Sequence, residues 1–136
     1  MTTCFIDTNL FIRYLTNDDP QKADRVDQLL EQAANGKIKL MTTEMVLAEV
    51  VWVLESYYHL EKARIAEMLK AILSTPGLEV LNGRVVENAL PYYSLQNIDF
   101  VDAYIVALMQ KHKITGIYSF DKKHLDRITH VTRLEP

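Results

Sequence analysis

Thr3-Cys4-Phe5-Ile6-Asp7-Thr8-Asn9-Leu10-Phe11-Ile12 sets the pattern for the whole chain: an apolar strand candidate, an acid at its end, and the start of a helix. Thr3 to Ile6 predicts a strand and Leu10 to Leu15 a short helix ending near Asn17, so Asp7 falls at their junction. Working outward, Asp19-Pro20 supplies an N-cap and a first-turn proline. Ala23, Val26, Leu30 and Ala33 then recur at helical spacing until Asn35-Gly36. Lys37 to Met41 alternates like a short strand, and Thr42-Thr43 can cap a helix from about Glu44 to Tyr58. A second helix over about Glu61 to Leu73 is broken by Pro76-Gly77 before the strand candidate Leu78 to Leu81, and the short gap near His59 predicts a helical hairpin.

The same alternation continues to the end. Val85 to Leu95 is helical in pattern with a kink expected at Pro91, and Asn97-Ile98-Asp99 opens a helix to about Lys113 that Thr115-Gly116 terminates. Ile117 to Phe120 predicts a strand, a short helix or turn follows Asp121, and Thr129 to Leu134 predicts a final edge strand. Strands alternating with helices argue for an α/β fold, a mainly parallel sheet covered by helices on both faces, with ligands outside the carboxyl ends of the strands. A length of 136 residues, without a linker, repeat or low-complexity segment, predicts one domain over 1–136.

With 49% hydrophobic and 24% charged residues the chain is a poor candidate for disorder. The longest apolar stretches, Val46 to Leu54 and Phe100 to Met109, each carry an acid and are too short to span a bilayer. No membrane segment and no export leader are expected. Cys4, alone, cannot form an internal disulfide and fits a reducing cytoplasm, and His59, His112, His124 and His130 show no metal-ligand spacing. The net charge of −3 counts against non-specific phosphate binding, unless a bound cation supplies the local positive charge.

The acids decide the chemistry. Glu49 interrupts Val46-Leu47-Ala48-Glu49-Val50-Val51-Trp52-Val53-Leu54, a run apolar on every helical face, which predicts a buried helix. Asp102 stands likewise inside Phe100 to Met109, and Asp7 between Cys4-Phe5-Ile6 and Leu10-Phe11-Ile12. No Lys or Arg lies in these runs. Two carboxylates about 5 Å apart repel by roughly 3 kcal/mol at an effective dielectric of about 20. Gathering several therefore calls for a hard divalent cation, Mg2+ first with Mn2+ able to substitute. Each acid also has a plainer reading. Asp7 can cap the helix that follows, Glu49 can pair with a distant base, Asp102 can be a first-turn acid behind an Asp99 cap, and Asp121 can be a turn residue.

Taken together, Asp7-Thr8-Asn9 after the first strand, Glu49 inside an apolar helix, Asp99-Phe100-Val101-Asp102-Ala103 opening a later helix, and Ser119-Phe120-Asp121 after a strand resemble the PIN-domain nucleases, and among them the compact VapC-like toxins. The resemblance covers essentially the whole chain. It implies a three-layer α/β/α sandwich and a metal-dependent endoribonuclease, with Asp7, Glu49 and Asp102 as core acids and Asp121 as the fourth catalytic and metal-binding position. It further implies supporting roles for Thr8, Asn9 and Ser119, with Asp99 a helix cap first and an outer-shell ligand second. The family's fourth motif often reads Thr-Arg-Asn, so Ser119-Phe120-Asp121 departs from it in lacking the central base, which Lys122, Lys123 or Arg13 could replace.

The implied reaction is hydrolysis of an RNA phosphodiester by metal-activated water, leaving 5′-phosphate and 3′-hydroxyl ends, with Glu49 a ligand through water or a general base. A homodimer, a small antitoxin as cognate partner and a cytoplasmic location are implied as well. Three other readings compete: a PIN-type RNA-processing nuclease, a PIN-like module that binds RNA without cutting, and, more distantly, a Mg2+-dependent phosphatase or receiver-like phosphoacceptor. A dehalogenase-type phosphatase needs a second Asp where this chain has Asn9, and a receiver expects adjacent acids early in the chain.

Overall fold

The computed structural model describes residues 2–136, which fall into two compact units, one reaching to Gly83 and one from Arg84 to Pro136. In the first unit, β1 (Thr3–Phe5) leads into α1 (Thr8–Thr16) and α2 (Pro20–Ala34), then β2 (Lys39–Thr43), α3 (Glu44–Ser56), α4 (Lys62–Leu73) and β3 (Leu78–Leu81). The strands pair in the order β1-β2-β3, both pairs parallel, with Cys4 opposite Leu40 and Thr42 opposite Val80. Parallel pairing requires a long crossover between successive strands, which the intervening helices provide. It also brings the carboxyl ends of β1 and β2 to one edge, where Asp7 and the start of α3 follow.

Short-range chemistry sets the helix ends. The Asp7 carboxylate accepts from Thr8 N at 2.7 Å at the start of α1, and Asn17 closes that helix in the left-handed conformation. Asp19 accepts from Lys22 N with Pro20 in the first turn of α2, and Thr43 Oγ1 accepts from Val46 N in α3. Between α4 and β3, Gly77 has φ +78°, and a Cβ there would stand 2.3 Å from the Ala33 carbonyl oxygen, so only glycine allows α2 this close. The core of the unit is built from Ile6, Leu40, Leu47, Val50, Leu54, Ile65 and Leu69, each at most 2% exposed. Within it the buried Thr42 hydroxyl donates to the Ile6 carbonyl at 3.0 Å and ties β2 to the end of β1.

Two expectations about this unit change. The first apolar run alternates between environments, with Ile6 buried and Phe5 67% exposed. The helix around Glu49 is not buried all round: α3 buries Leu47, Val50, Val51 and Leu54, while Met45, Glu49 and Trp52 share an exposed stripe at positions i, i+4 and i+7. An all-apolar helix has no periodicity to declare which face packs inward, so the exposed stripe was not readable from composition.

The second unit comprises α5 (Gly83–Ser94, its first residue before the boundary), α6 (Phe100–Lys111), β4 (Gly116–Tyr118), α7 (Lys122–Leu125) and β5 (Thr132–Leu134). β4 and β5 are parallel, with Ile117 opposite Arg133. Tyr93 of α5 packs edge-on against Phe100 of α6, with ring centroids 5.7 Å apart. Arg133 reaches from β5 to Asp126 at 2.8 Å and to the Ser119 carbonyl at 2.9 Å, which fixes the chain on both sides of α7. α6 again buries one face, through Phe100, Ala103, Val106, Ala107 and Met109, and leaves Val101 59% exposed. No helix among the described residues is long and apolar enough to cross a membrane.

Candidate functional site

In the first unit the end of β1 and the second turn of α3 are linked by a hydroxyl. Asp7 occupies the N-cap of α1 with an extended backbone (φ −99°, ψ 168°), and Thr8, buried at 5% exposure, donates from Oγ1 to Glu49 Oε2 at 3.2 Å. The structure thus joins three predicted residues, Asp7, Thr8 and Glu49. Thr8 acts as the spacer. Asp7 and Glu49 are both exposed, which corrects the premise that they are stranded in a dry interior. Water already solvates them, so their desolvation does not force a cation to bind. Asn9, also exposed, borders a cavity between α1 and α2.

In the second unit Asp102, in the first turn of α6, meets Asp121, which follows β4. One oxygen of each and a ring nitrogen of His124 lie within 4.8 Å of one another, all three residues half-buried. Burial, then the neighbouring charges of Asp121 and Asp99, push the Asp102 carboxyl above the ordinary aspartate value. Asp121 moves the other way, chiefly because the His124 backbone N–H donates to its Oδ1 at 3.1 Å, with the imidazole adding to the effect. His124 Nδ1 is 3.0 Å from Asp121 Oδ2, which assigns its proton to that nitrogen. Ser119 Oγ accepts from Asp121 N at 3.0 Å and shapes the turn that presents this acid.

Asp99 stands at the N-cap of α6 but its side chain makes no capping hydrogen bond, so the expected cap role is not realised. It acts on Asp102 through its charge instead. His124 is the residue that sequence reasoning missed. The available signal was its position three residues after Asp121, which places both on one side of the short helix α7.

The donor chemistry of the second cluster fits a hard divalent cation. Two carboxylates converge without a Lys or Arg ion pair to either of them among the described residues, and burial first, then the charge of Asp121, holds Asp102 partly against ionisation. Mg2+ and Mn2+ favour such oxygen donors, with His124 orienting Asp121 as an outer partner.

Residues 4–131 match the PIN domain profile. A VapC ribonuclease of Aquifex aeolicus (strain VF5) is similar over 118 residues at 25% identity, covering 87% of this chain and 87% of the relative. The parallel strands and intervening helices agree with the expected α/β/α sandwich. The chain is therefore a VapC-like member of the PIN-domain family.

Proposed function

We propose that the chain is a Mg2+-dependent endoribonuclease, with Mn2+ able to substitute, and that it acts as the toxin of a toxin-antitoxin pair. The observation that carries the reading is the convergence of Asp102 and Asp121 beside His124, in a chain whose PIN match spans both units. That span also supports treating residues 1–136 as one functional domain. The name of the Aquifex relative supports RNA as substrate. A small antitoxin partner, a homodimer and a cytoplasmic setting belong to the same proposal through the resemblance of the acidic motifs to VapC-like toxins.

Asp102 and Asp121 would hold the cation, and the resemblance of the motifs to the PIN family adds Asp7 and Glu49 to the catalytic and metal-binding acids. A bound divalent ion supplies neutralisation of phosphoryl charge and acidification of a water molecule. The protein's own groups do the positioning. Thr8 holds the Glu49 carboxylate through its Oε2, leaving the other oxygen to accept a proton or a water hydrogen bond. His124 holds Asp121 in one orientation, and Ser119 holds the backbone beneath it.

The test is a purified chain incubated with structured and single-stranded RNA in Mg2+, in Mn2+ and in chelator, beside Asp7→Asn, Glu49→Gln, Asp102→Asn and Asp121→Asn. Metal-dependent cleavage, lost in each variant while circular dichroism stays native, is expected. Cleavage that persists in chelator, or variants inactive only because unfolded, would refute the assignment. Growth arrest on expression, relieved by a small neighbouring reading frame, tests the toxin role; a non-cleaving or housekeeping protein gives no arrest.

A further inference from the structure

Asp102 and Asp121 sit on separate stretches of the second unit, one in the first turn of α6 and the other at the start of α7, and their ligand atoms lie within 4.8 Å of one another. Two carboxylates that close repel, so the segments carrying them need a hold that does not depend on the acids themselves. Arg127, just after α7, supplies a cross-link. Its Nη1 donates to the Gln96 carbonyl at 3.1 Å and to the Asn97 carbonyl at 3.1 Å, across 31 and 30 residues of chain. Both carbonyls belong to the loop that runs from α5 into α6, shortly before Asp102.

Both ends of this link are anchored. Leu125 and Ile128, on either side of Arg127, and Ile98, next to Asn97, are each at most 2% exposed. Asn97 takes the left-handed conformation, and its φ of 55° is the rotation that separates the two accepting carbonyls. Arg127 is itself exposed and makes no ion pair among the described residues, so its hydrogen bonds go to neutral backbone acceptors.

We infer that Arg127 is a positioning residue: by tying the loop that opens α6 to the chain that follows α7, it sets the spacing of Asp102 and Asp121. The inference rests on the reading of that cluster as a metal site. Groups one step removed from the ligands govern cation affinity because they fix where the ligands stand. The competing role for Arg127 is a purely electrostatic one, and the two roles have opposite signs. The Asp121 carboxylate, held low first by the His124 backbone N–H, also feels the Arg127 charge. A guanidinium near the cluster repels a second cation, so removing its charge alone strengthens Mn2+ binding, whereas removing the tie weakens it.

The experiment is a titration of the full chain with Mn2+, read by the electron paramagnetic resonance signal of the free ion. Wild type is compared with Asp102→Asn, Arg127→Gln and, as a charge control, Lys111→Gln, an exposed cation in the last turn of α6. Binding is expected in wild type, lost in Asp102→Asn, weakened about tenfold in Arg127→Gln and unchanged in Lys111→Gln. Circular dichroism in chelator checks that each variant folds. Folded Arg127→Gln that binds Mn2+ as tightly as wild type, or more tightly, overturns the inference and leaves the metal reading standing, and so does an equal loss in Lys111→Gln. A wild type that binds no Mn2+, or Asp102→Asn that binds it undiminished, overturns both. A second pair of variants keeps Arg127: Asn97→Val disfavours the left-handed backbone and Asn97→Gly permits it. The valine variant is expected to bind Mn2+ on the order of threefold more weakly than the glycine one. Equal affinities in that pair overturn the inference, even where Arg127→Gln fails to fold.

Discussion

Removing the charge of Asp102 should stabilise the metal-free protein. Its ligand atom lies at most 4.8 Å from that of Asp121, a separation at which two negative charges repel by about 3.5 kcal/mol at an effective dielectric of about 20 and by about 0.9 kcal/mol in bulk water. Asp102 is only half-buried and His124 partly offsets Asp121, so the lower figure governs, and Asp102→Asn should gain about 1 kcal/mol. For a chain of this size that corresponds to a rise of roughly 3–5 °C in Tm.

The pH dependence follows from the upward shift of Asp102, led by burial. Below the ordinary aspartate value the carboxyl is neutral folded and unfolded, and wild type and variant should melt together. As pH rises through the raised value the folded wild type must carry the charge, its relative stability is lost, and the gap opens. Mn2+ at about a hundred times its Kd should raise the wild-type stability by about 2.7 kcal/mol, and the variant should lose most of that response. Thermal melts by circular dichroism between pH 3 and 8 (~5 points), with and without Mn2+, read all of this. A variant that folds natively yet melts below wild type in chelator at neutral pH, or a gap that widens toward acid, would refute the reasoning.

Asp121→Asn should show the opposite profile: with its pKa lowered, chiefly by the His124 backbone N–H, the carboxylate stabilises the fold above the ordinary aspartate value. The variant's deficit in the same melts should vanish as pH falls through the depressed value. Thr8→Val removes the hydroxyl that holds Glu49 and is expected to slow cleavage by about 10- to 100-fold, while Thr8→Ser restores it, so equal rates for the two variants count against a positioning role. Gly77→Ala should cost about 3 kcal/mol or more in urea denaturation, since the new Cβ meets a backbone oxygen from a left-handed conformation.

Local chemistry was legible along the chain. Asp19-Pro20 and Asn35-Gly36 bracket α2, Thr43 caps α3, and Leu78 to Leu81 is the third strand as expected, because caps, prolines and turn residues act over a few neighbours. The order of the acids was readable for the same reason, and it led to the PIN family that the profile match shows. The solvent exposure of Glu49 was not readable, since a uniformly apolar helix carries no periodic signal for its inward face. His124 was passed over because it reaches Asp102 only once α6 and the segment after β4 are packed together.

Sequence by itself determined the alternating α/β order, the helix ends and the identity of the acids, all governed by interactions within one turn or one strand. Tertiary structure alone decided which carboxylates share a site, how Asp102 and Asp121 shift in opposite directions, and where Arg127 finds its two carbonyl partners. Those properties depend on distances between residues remote along the chain, and burial and Coulomb energies follow spatial separation rather than sequence separation.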